Sequence, residues 1–414
     1  MPAVGIRRED KNEWEARAPL APSHVAGLVR SSVDFVVQPS TIRVFGDDEY
    51  RAAGARVDDD LSGCGVVLAV KEIPPEHVRP GVAYVFYSHT IKGQPHNRGM
   101  FRRFVEAGAT LIDYEKMTGD DGRAVVSSSR HAGLAGMIDA LWALGRRLEA
   151  EGHDTPLAEV RQAHGYRDLA EAKSHLAKVG RRLAAGELPE ELRPLQVGVL
   201  GYGGVSGGVQ EILAALGDAL RPVVFREEDM VERSDGGEFR LEEYYSRPEL
   251  YRPVLDRRLQ ELTVLMNCLY WEERYPRFVT REGLRRAAGP GGRLRVIGDI
   301  SCDIEGAVEV TVRSTAPDAP AYTYDPATDS FTDGVAAGGV VIVAVDNLPC
   351  ELARDATEAF GDALAPLVPA MAAADLSASP DGSGLPGAVL RGTIVWRGEV
   401  TPPYAYLRGL YGLD

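Results

Sequence analysis

Residues 195–210 constrain the chain most. They read as a short apolar strand, a glycine-rich turn and a helix start. Leu195-Gln196-Val197-Gly198-Val199-Leu200 is the strand, and Gly201, Gly203, Gly204 and Gly207 crowd the turn. A phosphate must approach backbone N–H groups closely, and a Cβ in the way would hold it off. Glycines remove that obstacle, and the N-terminus of the helix adds a favourable dipole. Gly201 and Gly203 fit G-x-G, while Gly201, Gly204 and Gly207 fit a loosened G-x-x-G-x-x-G, with Val205 inside the turn. An ordinary tight strand-to-helix turn would carry similar glycines, so the motif needs support from its surroundings.

That support follows in the chain. Val223-Val224-Phe225 is a second apolar run, and Arg226-Glu227-Glu228-Asp229 come directly after it. In dinucleotide-binding units an acid at the end of the second strand, roughly 20 residues past the glycines, takes the ribose hydroxyls. Glu227 is the candidate. Arg226 beside it suits a 2′-phosphate instead, so the cofactor stays open between NAD and NADP. A solvated charged loop is the plainer reading of the same quartet.

The rest of the chain repeats the alternation of strand and helix. Strands are expected at Ala3 to Arg7, Val33 to Gln38, Val66 to Val70, Ala83 to Tyr87 and Thr110 to Asp113. Helices are expected from Pro22, from Asp47, over 95–108, over Ala132 to Glu151 and over Leu169 to Ala185. Later strands are Leu262 to Leu269, Leu294 to Ile297 and Val340 to Val345, and Pro349 opens a helix running to about Ala374. Continuous apolar runs separated by helices imply parallel sheets with crossover connections. The fold class is therefore α/β, with two Rossmann-like domains. The glycine-turn unit ends near residue 345 and the last helix returns to the first domain. The domains are thus 1–131 with 346–414, and 132–345 inserted between them. Leu376 to Gly387, rich in Ser, Gly and Pro, reads as a linker.

Ligand crevices in such sheets lie at the carboxyl ends of strands. Lys71 follows the Val66 to Val70 run and His89 follows the Ala83 to Tyr87 run. Either alone is uninformative, being a solvated lysine or a surface histidine. Together, one strand apart at the same edge, they can face one crevice. Asp299 and Asp346 also sit at strand ends, and Asp299 joins the glycines as a cofactor-binding candidate. The formal net charge of −15 argues against nucleic acid or an anionic membrane as partner. No apolar run approaches spanning length, and no secretory h-region precedes Arg7, Arg8, Glu9 and Asp10. The four scattered cysteines fit a reducing cytosol and no disulfide framework. His89 and His96 share a segment but gather no third ligand, so no metal is indicated. The oligomeric state stays open, with a homo-oligomer compatible.

Several stretches together resemble a known family. They are RREDKNEWEARAPLAP at Arg7 to Pro22, VKEIPP at Val70 to Pro75, FYSHTIKGQ at Phe86 to Gln94 and LIDYEKM at Leu111 to Met117. AGLAGMI at Ala132 to Ile138, GDIS at Gly298 to Ser301, VDNLP at Val345 to Pro349, DATEAFGD at Asp355 to Asp362 and PPYAYLRGL near the end extend the match. The chain resembles the lysine–2-oxoglutarate reductases, that is, the lysine-forming saccharopine dehydrogenase domain of aminoadipic semialdehyde synthase. These belong to the wider alanine dehydrogenase and saccharopine dehydrogenase superfamily. The resemblance implies an oxidoreductase acting on a small amino acid and a 2-oxo acid with NAD or NADP. It implies a substrate domain built from both chain ends, an inserted dinucleotide domain and an active site in the cleft. Lys71 and His89 would be the acid–base pair, Arg17 would bind a substrate carboxylate and Lys92 would assist. Glu115 and Asp346 would tune the pair. A lysine, ordinarily at pKa about 10.4, must be depressed to act as a base, whereas an imidazole near 6.5 already suits the task.

The resemblance thins at Asp121 to Ala132. The family carries an arginine where Ala124 stands and an aromatic segment where Ser128 to His131 stand. Arg123 or Arg130 would have to supply the lost charge. A second expectation is therefore a relative acting on a different N-substituted, lysine-derived amino acid. A third, a catalytically dead cofactor-binding module, conflicts with the joint presence of Arg17, Lys71, His89 and Asp346.

Overall fold

A computed structural model describes residues 3–289 and 291–413. The chain divides into two units, Met1–Ser128 with Ala353–Asp414, and Ser129–Leu352. In chain order the strands are β1 (Ala3–Ile6), β2 (Phe35–Val37), β3 (Arg56–Val57), β4 (Cys64–Leu68), β5 (Ala83–Phe86) and β6 (Thr110–Asp113). Next come β7 (Leu195–Leu200), β8 (Leu220–Phe225), β9 (Val231–Arg233), β10 (Tyr251–Pro253), β11 (Val264–Asn267) and β12 (Val296–Asp299). Last are β13 (Ala321–Asp325), β14 (Ser330–Asp333), β15 (Val340–Val343), β16 (Thr393–Trp396) and β17 (Glu399–Val400).

The first unit is a sheet in the order β17-β16-β6-β5-β4-β1-β2-β3. Strands β1 to β6 pair in parallel, as their unbroken apolar runs require. Val66, Val67, Leu68, Tyr84, Val85 and Phe86 are all buried. The parallel order puts the carboxyl ends of β1, β4 and β5 side by side.

The second unit has the order β14-β13-β15-β12-β11-β7-β8, parallel from β15 to β8. Its two faces feed two cores. Val197, Val199, Val264, Met266 and Val296 pack against the helices Ser129–Ala150, Leu169–Ala184 and Gly204–Leu216. Leu200, Leu265 and Ile297 point into the other core, with Phe225 and Tyr322. That is the period-two alternation of a strand covered on both faces.

Four expectations change. Each sheet is antiparallel at one edge, because β16 and β13 join antiparallel with the hairpins β16–β17 and β13–β14. The first hairpin turns at Arg397 and Gly398, both at positive φ, a primed turn without an Asn-Gly or Asp-Gly signal. The helix expected from Pro349 to Ala374 is broken into Leu348–Leu352, Ala353–Leu364, Ala365–Leu367 and Val368–Ala373. Pro366 and Pro369 lack the N–H a continuous helix needs. The stretch 376–387 is no linker: Trp396 Nε1 donates to the Ala378 carbonyl at 3.2 Å, and Ser379 caps a short turn. Finally, the units divide at 128/129 and 352/353 rather than at 131/132 and 345/346. Ser129 already begins the long helix, and the 348–352 turn packs on that helix through Leu348 and Leu352. Among the described residues no helix is long and apolar enough to cross a membrane.

Candidate functional site

In the first unit the charged groups gather beyond β1, β4 and β5. Glu9, buried, accepts from the Val70 and Lys71 N–H groups at 2.7 and 2.9 Å, which fixes the chain as it leaves β4. Burial, reinforced by the Glu15 carboxylate, raises Glu9 to about 7 despite those two N–H bonds. Burial also depresses the Lys71 amine, and the Arg17 and Lys11 cations push it the same way. The depression that the chemistry demands of Lys71 therefore has identified causes.

Glu72, next in sequence, reaches His89. Its Oε1 lies 2.6 Å from His89 Nδ1, and Lys11 Nζ lies 3.2 Å from its Oε2. Burial raises Glu72, but the hydrogen bond with His89 and the nearby Lys11 cation outweigh it and hold the carboxyl at about 2. An ionised Glu72 accepts from Nδ1–H, so the Nε2 side of the ring is left for proton exchange. His89 itself sits at φ +50, an uncommon conformation for a residue with a Cβ. Asn97 donates to its carbonyl at 3.0 Å, and the Tyr87 ring stacks on it at 6.3 Å. Asp113 accepts from the preceding Ser88. His89, Lys92 and Glu115 line one cavity of about 320 Å³ with Tyr87, Ile91 and Gln94.

Arg17 is buried and its Nε–Nη2 edge is held bidentately by Glu15, at 2.7 and 2.6 Å. Nη1 lies on the opposite edge of the guanidinium. Nη1 lies 3.5 Å from Ser128 Oγ. Tyr87, whose hydroxyl burial raises to about 12, also feels the Arg17 charge. Arg17, Lys71 and His89 are thus linked through Glu15, Glu72 and Tyr87.

Three further expected residues have surroundings of their own. Asp346 belongs to the second unit, exposed just beyond β15, with its N–H on the Thr315 carbonyl at 3.2 Å. Arg130 also belongs to the second unit, and Glu211 holds it bidentately at 2.8 and 2.6 Å. Arg123 is exposed on a turn beside Asp121, at 3.7 Å. Ala124 is exposed on the same turn, so no arginine there replaces the missing one. Conversely Glu9, Glu15, Glu72 and Tyr87 gained no role from sequence reasoning. They lay inside the motifs already noted, but linear order does not reveal which carboxylate meets which cation.

In the second unit the glycine turn follows β7. Gly201 sits at φ +86 and donates to the Phe225 carbonyl at 3.0 Å, joining the ends of β7 and β8. Gly203 caps the helix Gly204–Leu216, and a Cβ there would meet nothing within 4 Å. The approach to the helix N-terminus is therefore open. Val205 turns its carbonyl to Gly133, where a Cβ would stand 1.9 Å away. Gly207 meets nothing and is not the packing glycine. Gly208 is, since its Cβ would fall 2.1 Å from the Arg130 carbonyl. The motif here is best written Gly201-x-Gly203 with Gly208 at the helix crossing.

Gly201, Tyr202 and Gly203 open a cavity of about 390 Å³, walled by Glu227 and a run of aromatic rings. Tyr202 and Tyr245 hydroxyls donate to Glu227 Oε1, and the Arg226 guanidinium lies 4.5 Å over the Tyr202 ring. Asp299 is not at this opening. It is buried, with Oδ1 accepting from Asn267 at 2.8 Å and Oδ2 from Thr311. Burial raises it to about 6. It ties β11 and β12 to the 308–311 turn.

Comparison with known proteins agrees with this architecture. Residues 5–135 match the N-terminal domain of the alanine dehydrogenase/PNT family, and residues 170–403 match its C-terminal domain. Alpha-aminoadipic semialdehyde synthase of Arabidopsis thaliana is 35% identical over 98% of this chain, and the mitochondrial enzyme of Bos taurus 33% over 98%. The chain spans 41% and 48% of the length of those two relatives. Saccharopine dehydrogenase [NAD(+), L-lysine-forming] of Neurospora crassa is 28% identical over 88% of this chain and 90% of its own. Among solved structures an L-alanine dehydrogenase superposes with a TM-score of 0.65 at 18% identity, covering 99% of both chains. A transhydrogenase from Sinorhizobium meliloti gives 0.60 at 18% identity, over 96% of this chain and 100% of its own. Both likenesses speak to the fold alone.

Proposed function

Because the chain belongs to the alanine dehydrogenase/PNT family and is an NAD(P)-dependent oxidoreductase, we propose that it interconverts saccharopine with lysine and 2-oxoglutarate. The observation that carries the reading is the Glu72–His89 bond of 2.6 Å, which joins the loop of Lys71 to the loop of His89. Joining an amine to a 2-oxo acid requires carbinolamine formation, loss of water to an imine and reduction of that imine. A bound nicotinamide supplies the hydride. The first unit supplies everything else. Lys71, depressed by burial and by Arg17, takes a proton from the incoming ammonium so that a neutral amine can attack. His89, oriented through Nδ1 by Glu72, gives from Nε2 the proton with which the hydroxyl departs as water, and takes one back when water adds in the reverse direction. Arg17 holds an oxo-acid carboxylate through Nη1, and Lys92 offers a second charge at the cavity wall. In the second unit the open glycine turn and helix N-terminus suit the pyrophosphate, with Glu227 at the ribose end.

A specific observation favours a second reading. Ser128 stands beside Arg17, where the resemblance expects an aromatic wall, while Arg123 is exposed beside Asp121 and Arg130 is paired with Glu211. A related enzyme acting on a different N-substituted, lysine-derived amino acid fits that altered pocket. Steady-state oxidation of NADH and NADPH with lysine plus 2-oxoglutarate decides between them. Turnover is expected. Silence with that pair, together with turnover of another amine or oxo acid, would transfer the reading to the second enzyme. No turnover with any pair, despite cofactor binding, would make the chain a binding module.

A further inference from the structure

The C-terminal stretch takes no part in the chemistry above, yet it is bonded to the loop that carries His89. It forms two short turns, Pro402–Tyr404 and Leu407–Tyr411. Tyr404, Leu407 and Tyr411, spaced by three and four residues, are buried on one face and join the first unit's core. Phe101 stacks on the Tyr411 ring with centroids 4.4 Å apart, and Arg102 donates to the Tyr411 and Gly412 carbonyls at 3.1 and 2.7 Å. Both belong to the helix Arg98–Glu106, which follows the His89 loop in the chain.

From that seat two hydroxyls reach the loop. Tyr411 Oη donates to the Thr90 carbonyl at 2.8 Å, both residues being fully buried, and Tyr406 Oη donates to the Ile91 carbonyl at 3.0 Å. With Asn97 on the His89 carbonyl, three successive carbonyls each take a side-chain donor. The Leu410 side chain closes on Gly93, at φ +66, where a Cβ would stand 2.8 Å from it. His89 needs such support. A residue with a Cβ keeps a φ of +50 only where its surroundings over-determine it. The Tyr411 hydroxyl is not required to satisfy Thr90, whose carbonyl already accepts from the Gly93 N–H at 3.0 Å. A phenylalanine would fill the same space. What the hydroxyl adds is a fixed direction for the peptide beside His89.

We propose that Tyr411, assisted by Tyr406, is a positioning residue for the reaction. Its hydroxyl fixes the 89–92 loop, so that the His89 ring stays on Glu72 and Lys92 stays at the cavity wall. The inference rests on His89 being the proton-transfer group of the reading above. Neither tyrosine touches substrate in this account, and both act through peptide carbonyls.

Tyr411→Phe and Tyr406→Phe in the full chain test it, with isotope-labelled histidine reporting the His89 ring. The Nδ1–H signal is assigned by its absence from His89→Gln, and its bond to a carboxylate at 2.6 Å should place it far downfield in the native chain. In Tyr411→Phe it should broaden or move upfield, and in Tyr406→Phe do so less. A signal unmoved in both variants would overturn the proposal, whichever amine and oxo acid the chain turns over. Tyr411→Phe should also lower kcat about tenfold in the native background and less than about twofold in His89→Gln, where nothing is left to position. Equal falls in both backgrounds would reduce the tyrosine to a structural part. Tyr406 is half-exposed, so Tyr406→Phe should keep Tm within about 2 °C of native and serves where Tyr411→Phe folds poorly. Native kcat in His89→Gln would strike at the acid–base reading, whereas an unmoved signal with that reading intact strikes the tyrosines alone.

Discussion

The two strand-end sites solve opposite problems. Beyond β1, β4 and β5 the first unit concentrates ionisable groups and pairs several of them. Arg17 meets Glu15, Glu72 meets His89 and Lys11, and Glu9 takes two backbone N–H groups. Beyond β7 and β8 the second unit offers glycine backbone, aromatic rings and one braced carboxylate. The first arrangement suits the proposed proton transfers, because buried charges in contact shift one another's proton affinity. The second holds a long ligand with phosphates in the middle and flat rings at the ends, which needs close backbone approach more than charge. The lesson is that one architecture, a parallel sheet with loops at its carboxyl ends, serves chemistry or cargo according to what those loops carry.

The comparison breaks most sharply at Lys71. Lys71→Met should lower kcat about 10²- to 10⁴-fold, the usual worth of an acid–base group, while NADH affinity changes less than twofold. A matching loss of NADH affinity in a binding titration would merge the two sites that are contrasted here. The next largest effect is at Arg17. Arg17→Ala should raise KM for the oxo acid about 10- to 100-fold, the scale of one charge-assisted contact. It also removes a cation that depresses Lys71. The limb of the pH–rate profile that reports Lys71 deprotonation should therefore move to higher pH. An unmoved limb would show that burial alone sets this amine.

Within the second unit two glycines should respond differently. Gly208→Ala drives a methyl into the Arg130 carbonyl and should cost about 1–3 kcal/mol of stability, read as a lowered Tm. Gly203→Ala meets no atom within 4 Å, so its stability should stay within about 1 kcal/mol of the native chain. Its NADH affinity should nevertheless fall, since the methyl projects where a phosphate approaches.

The smallest expected effect concerns a carboxyl pair that neither site uses. Asp139 and Glu351 are buried together in the second unit. Asp139 Oδ1 accepts from the Ala163 N–H at 2.8 Å, and Glu351 Oε2 lies 3.2 Å from His164 Nδ1. Burial raises both carboxyls, Asp139 well above its ordinary range and Glu351 to about 7. The folded chain thus keeps protons that the unfolded chain releases. The stability this gives is complete below the ordinary carboxyl range and is lost as pH rises through about 7. Asp139→Asn should leave Tm nearly unchanged at pH 5 and raise it by a few °C, roughly, at pH 8. Equal shifts at both pH values would remove the proton from the explanation.

Much of this molecule was legible in the sequence. Apolar runs such as Val66 to Leu68 read as buried parallel strands because a strand covered on both faces has no polar side. Gly201 and Gly203 announced a turn because only a missing Cβ permits φ +86 or an open approach to a helix N-terminus. Lys71 and His89 could be set side by side because parallel strands align their carboxyl ends. Other features were decided by tertiary structure alone. Which carboxylate braces which cation is a matter of angstroms across loops, and Glu72 rather than Glu115 reaches His89 Nδ1. Asp299 and Asp346 both follow strands, yet one is buried between Asn267 and Thr311 and the other is exposed. A local pattern dictates backbone conformation through short-range sterics, whereas the fate of a side chain depends on neighbours that only the folded chain assembles.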